Sequence, residues 1–160
     1  MEMCREMPDV FSYHCYNGLS ERLAETGKGH WAQEEAIGEE YLAVVKKAAG
    51  YYGSLRDRFC PGAPLWVTEA GDAGGGGNTW GPTFLDVFRT VNELGSFAAV
   101  TDGIIFHNTL ASSDYGYLDP VTHLPRPNYW AVCLWNRVMG TTVYDPGISQ
   151  REGAHIYVHS

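Results

Sequence analysis

The carboxylate of Glu69 is the first candidate for chemistry. It follows the apolar run Leu65-Trp66-Val67 and precedes a stretch holding Gly74, Gly75, Gly76 and Gly77. In parallel α/β sheets and barrels the C-terminal ends of strands build the site. An ionised carboxylate there suits a nucleophile at an anomeric carbon, one of the two carboxyl groups glycoside hydrolysis uses. The competing reading is a solvated strand-end Glu. His14 and Tyr16 stand two apart on another strand-like segment, so they share a face, and a Tyr so placed can orient a carboxylate. A core aromatic and a satisfied His is the alternative. Asn108, beside His107, lies in the second half of a third such segment, where packing and backbone capping compete with ligand contact.

The glycine run is no nucleotide loop. GDAGGGGNTWG lacks the Lys-Ser/Thr ending of a P-loop and the acidic residue of a dinucleotide fingerprint. Bare backbone at Gly74, Gly75 and Gly76 would let a polar ligand approach closely; a flexible linker is the rival reading. Trp80, inside this polar stretch, could stack on a pyranose ring. Ser113 and Tyr115, in SSDYGYLD, add hydroxyls for a polar ligand.

These residues need elements to hold them. Val10–Tyr16 is β-branched and aromatic, reads as a strand, and ends at the turn signal Asn17-Gly18. Residues 19–30 read as a loop. Ile37, Tyr41, Val44, Val45, Ala48, Tyr52, Leu55 and Phe59 mark one helical face, with Gly50 and Gly53 as weak points and Pro61-Gly62 as the stop. Pro64–Ala70 reads as a second strand and residues 71–81 as a loop. Pro82 then opens a helix whose inner face is Phe84, Val87, Phe88, Val91 and Leu94, capped by Gly95. Gly103–Leu110 is a third strand, and Asn128 N-caps a third helix with Tyr129, Val132, Trp135, Val138 and Met139 on one face. Thr141–Tyr144 and His155–His159 close the chain as strands. The order β-α-β-α-β-α-β-β implies an α/β fold with a parallel sheet.

With 160 residues, 44% hydrophobic and 19% charged, the composition is that of a globular domain rather than a disordered one. The net charge of −8 argues against nucleic acid and anionic membranes as partners. No apolar run approaches the ~20 residues of a membrane span, and MEMCREMPDV has no secretory signal pattern. Cys4, Cys15, Cys60 and Cys133 form no CxxC pair and are expected as buried thiols. No metal or cofactor is implied by any spacing.

In order, SYHCYNG, PLWVTEAGDAGGGG, TFLDVFRTVNELG, DYGYLD and PNYWAVCLWNRVMGTTV resemble the heparanase-like glycoside hydrolases, glycoside hydrolase family 79, across essentially the whole chain. The resemblance implies a (β/α)8 TIM barrel joined to a β-sandwich, with a retaining β-glucuronidase or endo-β-glucuronidase activity. Residues 1–140 would be the last three βα units of that partial barrel, and 141–160 the first strands of the sandwich. Glu69 falls on the family's nucleophile. Gly74, Gly75, Gly76 and Tyr115 fall where the family contacts the sugar and its carboxylate, and His14 and Tyr16 match the His and Tyr after the sixth strand. Two departures stand out: His107-Asn108 replaces Arg-Gln on the eighth strand, and Ser112, Ser113 and Asp114 precede Tyr115. The acid/base, carried by the family on its fourth strand, is absent from the chain, so turnover by the chain alone is not expected. A small glucuronide is expected as substrate ahead of a sulfated polyanion, and the family points to an extracellular or lysosomal setting. The alternatives are a carbohydrate-binding half-barrel that self-associates through open sheet edges, and a barrel glycosidase of another family.

Overall fold

A computed structural model of the chain describes residues 6–27, 29–101, 103–149 and 151–160. Three strands, β1 (Phe11–Leu19), β2 (Leu65–Gly74) and β3 (Ile105–His107), form a parallel sheet in that order. Helices α1 (Glu39–Phe59), α2 (Leu85–Ala98) and α3 (Pro127–Val138) follow the strands in alternation. Short strands β4 (Val143–Tyr144) and β5 (Val158–His159) pair antiparallel. The mixed α/β order expected from the sequence is present, and the three parallel strands with their helices are compatible with part of a barrel.

The core lies on one side of the sheet. Phe11, Tyr13 and Cys15 alternate inward from β1 and meet Leu65, Val67 and Ala70 of β2, Val45 and Ala49 of α1, and Phe97 of α2. Burying each large apolar side chain is worth roughly 1.5–3 kcal/mol. The intervening residues Ser12, His14 and Tyr16 face the other, uncovered side, as a two-residue period demands. The Cys15 thiol, buried in this core, is pushed up to about 12 by desolvation. Cys4 lies outside the described residues.

Several expected boundaries shift, some with a long-range contact at the place. β1 runs through Asn17-Gly18 instead of turning there: the Asn17 amide donates to the Tyr41 carbonyl of α1 at 2.8 Å, and a Cβ on Gly18 would lie 2.6 Å from the Trp31 ring. The stretch after β1 contains 3₁₀ turns at Glu21–Thr26 and Gln33–Glu35. α1 begins after Ile37 and passes unbroken through Gly50 and Gly53. β2 extends to Gly74, so the first glycines expected in a loop are strand residues. β3 is only three residues long. Gly95 lies inside α2 rather than capping it, and it makes room for the Tyr157 ring, which a Cβ there would approach within 2.4 Å. The N-cap of α3 is Arg126, with Pro127 opening the helix; Asn128 is buried one residue in, donating to Asp86 Oδ2 at 2.8 Å.

The largest correction concerns α2. Its period is as expected and its inward face is not: Asp86, Arg89, Thr90, Asn92, Glu93 and Phe97 are buried, while Phe84 is 64% exposed and Phe88 is also outward. The charges tolerate burial because they satisfy one another. Arg89 bonds Asp86 one turn before it and Glu93 one turn after it, the latter at 2.5 Å.

Candidate active site

Glu69 owes its orientation to a bulge. Phe11, Ser12 and Tyr13 pair with Leu65, Trp66 and Val67; the next pair is His14 with Glu69, so Thr68 is an extra residue in β2. Without it, Glu69 would sit opposite Cys15 and face the helices. A bulge re-aims every side chain beyond it by one step of the pleat. Glu69 therefore shares the uncovered face with its register partner His14 and with Tyr16, and its side chain remains 40% exposed.

On that face the Tyr16 hydroxyl donates to Glu69 Oε2 at 2.7 Å, and His14 Nδ1 stands 3.4 Å from the same oxygen. The Asn108 side-chain amide donates to Tyr16 Oη at 2.8 Å. Desolvation, then the neighbouring carboxylate, drives the Tyr16 phenol well above its usual range despite the opposing Asn108 bond, so it remains a proton donor at any working pH. Both close partners meet at Oε2, while Oε1 accepts no hydrogen bond among the described residues. The arrangement is a carboxylate oriented at one oxygen and presenting the other to an open face. That geometry suits nucleophilic attack.

The glycine segment beyond β2 is held in place. Gly75, Gly76 and Gly77 have φ of 90°, 114° and 77°, which favours glycine at all three. Ser20 Oγ and Arg22 Nη1 donate to the Gly77 carbonyl at 2.5 and 2.8 Å, and the Asp114 backbone N–H donates to the Gly76 carbonyl at 3.0 Å. Arg22 also pairs with the Asp114 carboxylate. One guanidinium thus joins the segments that follow all three strands. Tyr115, next to Asp114, brings its ring centroid to 6.2 Å from that of Tyr16. Gly74 packs against the Tyr16 ring, with a built Cβ 3.6 Å away.

Other expected residues are elsewhere. Trp80 is 3% exposed, edge-on to Tyr41 in a second core cluster with Ala36 and Leu42, so its ring offers no free face to a sugar. Ser113 is exposed, with φ 57° and its carbonyl accepting from Arg126 at 2.8 Å. His107 is structural: Nε2 contacts the Tyr115 carbonyl at 2.6 Å, the ring stacks on Tyr117 at 3.8 Å, and burial pushes it down to about 4. Three features escape the sequence reading: the Thr68 bulge, the Arg22 staple, and the buried cluster beneath α2. Only the last left a signal, the i, i+3 and i+4 spacing of Asp86, Arg89 and Glu93. Among the described residues no helix is long and apolar enough to cross a membrane.

No protein-family model matches the chain. Individual proteins do. Heparanase-like protein 1 of Arabidopsis thaliana is 28% identical over 152 residues, which is 94% of this chain and 27% of the relative. Baicalin-beta-D-glucuronidase of Scutellaria baicalensis is 34% identical over 98 residues, 61% of this chain and 19% of the relative. Heparanase of Gallus gallus is 26% identical over 130 residues, 79% of this chain and 25% of the relative. The chain spans between about a fifth and about a quarter of the length of these curated relatives. By sequence, this chain is related to the heparanase-like glycoside hydrolases of family 79.

Proposed function

We propose that these residues form the last three βα units of a (β/α)8 barrel, through residue 140, and the first strands of a sandwich, from 141. In this reading the whole protein is a retaining β-glycosidase acting on a β-linked uronic acid. Its nucleophile is Glu69. Oε1 attacks the anomeric carbon as the glycosidic bond breaks, giving a glycosyl ester on Glu69; water then attacks the same carbon and releases the carboxylate. The general acid that protonates the departing oxygen, and later takes the proton of that water, belongs to sequence outside these 160 residues. The single observation that carries the reading is the bulge-directed Glu69, anchored at Oε2 by Tyr16 on the uncovered face.

The names of the relatives support a glucuronide as substrate. The Arg22–Asp114 pair also matters here. A carboxylate beside the sugar-contacting segment would repel an acidic sugar, and the guanidinium offsets it. Tyr16 holds Glu69 without protonating it, since the phenol is the far weaker acid.

The test is a mechanism-based 2-fluoro-glucuronide applied to a full-length form of the protein. The expected result is a covalent adduct on the peptide containing Glu69, and a fall in kcat on the order of 10⁴–10⁶ in Glu69→Gln, the scale of losing a covalent nucleophile. A chromogenic glucuronide should show no turnover by the 160-residue chain. Adduct formation at another residue, or efficient glucuronide hydrolysis by the short chain, would overturn the reading.

A further inference from the structure

We infer that Asn108 is a positioning residue: by donating its amide N–H to the Tyr16 phenol oxygen, it strengthens the bond by which Tyr16 holds Glu69. This rests on the reading of Glu69 as the nucleophile and departs from the expectation that Asn108 binds the substrate itself.

The argument is one of proton counting. A phenol has one proton to donate and lone pairs with which to accept. Tyr16 Oη lies 2.7 Å from Glu69 Oε2 and 2.8 Å from Asn108 Nδ2. An ionised carboxylate only accepts, so Tyr16 donates to Glu69. The phenol then has no proton left for Asn108, and the amide must present its N–H. Were the amide oxygen turned toward Tyr16 instead, two acceptors would compete for one proton. Asn108 thereby donates to the phenol oxygen, and a donor there strengthens the bond that oxygen makes through its own proton.

The sheet is built to allow this contact. Tyr16 is on β1 and Asn108 follows β3, which are not neighbours; β2 lies between them. The residue of β2 in register with Tyr16 is Gly71. A Cβ there would lie 3.1 Å from Tyr16 Cε1 and 3.5 Å from the Asn108 carbonyl. With glycine on the middle strand, the Tyr16 ring can lie across β2 and meet Asn108. Asn108 is itself held by its backbone N–H, which donates to the Ala70 carbonyl at 2.9 Å. One member of the chain Asn108–Tyr16–Glu69 thus comes from each strand unit.

The C–O stretch of a tyrosine differs between a phenol that donates only and one that both donates and accepts. Infrared spectra of the 160-residue chain with carbon-labelled tyrosine, with the Tyr16 band assigned by its loss in Tyr16→Phe, read this directly. The wild-type band should have the donor-and-acceptor position, and Asn108→Leu should move it to the donor-only position. Asn108→Asp, which keeps the shape but replaces the donor with an acceptor, should do the same if the leucine variant does not fold. In the full-length protein, Asn108→Asp should lower kcat about fivefold to tenfold, the scale of one hydrogen bond, with KM within twofold. A band unmoved in both variants overturns the inference. So does a rise in KM at constant kcat, which would make Asn108 a substrate contact. A failed glucuronide label with a moved band would instead remove the functional reading and leave the hydrogen-bonded chain Asn108–Tyr16–Glu69 standing.

Discussion

Glu69 and Asp72 stand three residues apart on the same strand and lead opposite lives. Beyond the bulge, Glu69 points to the uncovered face, while Asp72 points with Ala70 toward the helices and is fully buried. Each has a cluster of polar partners. Glu69 meets a phenol and an imidazole, and it keeps one oxygen unclaimed. Asp72 accepts from the Asn78 backbone N–H at 2.8 Å through Oδ2 while its Oδ1 is buried without a partner, and it sits beside a set in which Arg89 bonds Asp86, Glu93 and Thr90, and Asn128 bonds Asp86 from α3. Each carboxylate keeps one free oxygen, and the two differ in where that oxygen lies. A free acceptor on an accessible face is open to a ligand; one sealed in the core meets only protein.

If that contrast is right, the largest effect in the molecule belongs to Arg89→Met. Arg89 is fully buried between two carboxylates. Removing it leaves uncompensated buried charge, so unfolding by urea should show a loss of about 3–5 kcal/mol. A loss below about 1 kcal/mol would mean that Asp86 and Glu93 are not held by Arg89, and the contrast would fail on its buried side.

Asp72 sharpens it next, through pH. Burial, reinforced by the Asp86 charge, raises the Asp72 carboxyl to about 7 in the folded chain. The folded state therefore keeps a proton that the unfolded chain releases near pH 4. Between about pH 4 and 7 the folded state binds more protons, so this group's contribution to stability falls as pH rises, and the loss is complete above the folded value. Asp72→Asn removes the dependence. Its melting temperature should nearly match wild type at pH 4.5 and exceed it at pH 8. A gap that shrinks toward alkaline pH would place an ionised, well-paired Asp72 in the fold.

The contrast also explains which parts were legible in the amino-acid order. β1, α1 and β2 were readable because Phe11, Tyr13 and Cys15 alternate and Tyr41, Val45 and Ala48 follow a helical period, and both patterns are local. The face of α2 was not. Apolar periodicity pointed Phe84 and Phe88 inward, but the inward side is the one where Asp86, Arg89 and Glu93 neutralise each other against Asn128, forty-two residues away from Asp86. Trp80 misled for the same reason: its neighbours in sequence are polar glycine-loop residues, yet its packing partner is Tyr41 on α1. Residue type and strand position alone single out Glu69, His14 and Tyr16. That they meet depends on the unpaired Thr68, and nothing in LWVTEA distinguishes a bulged strand from a regular one. Arg22 lay unremarked in a polar stretch, since its partners Gly76, Gly77 and Asp114 converge only when three strand ends are brought together.

The smallest expected effect is the most telling. Glu69→Gln should change the unfolding free energy by no more than about 0.5 kcal/mol, as surface substitutions away from buried networks do. The side chain is two-fifths exposed, and the nearby His14 is more exposed still, so their attraction is weakened by water. The amide keeps an oxygen that can accept from Tyr16, so the bond at 2.7 Å has a neutral replacement. What the amide cannot do is attack carbon as an anion. A site residue whose replacement leaves stability intact while abolishing labelling by the glucuronide probe is one whose chemistry exceeds its structural role. A loss above about 2 kcal/mol on chemical denaturation would reverse this: Glu69 would then belong with Arg89 as a structural carboxylate partner, and the two faces of β2 would no longer differ in kind.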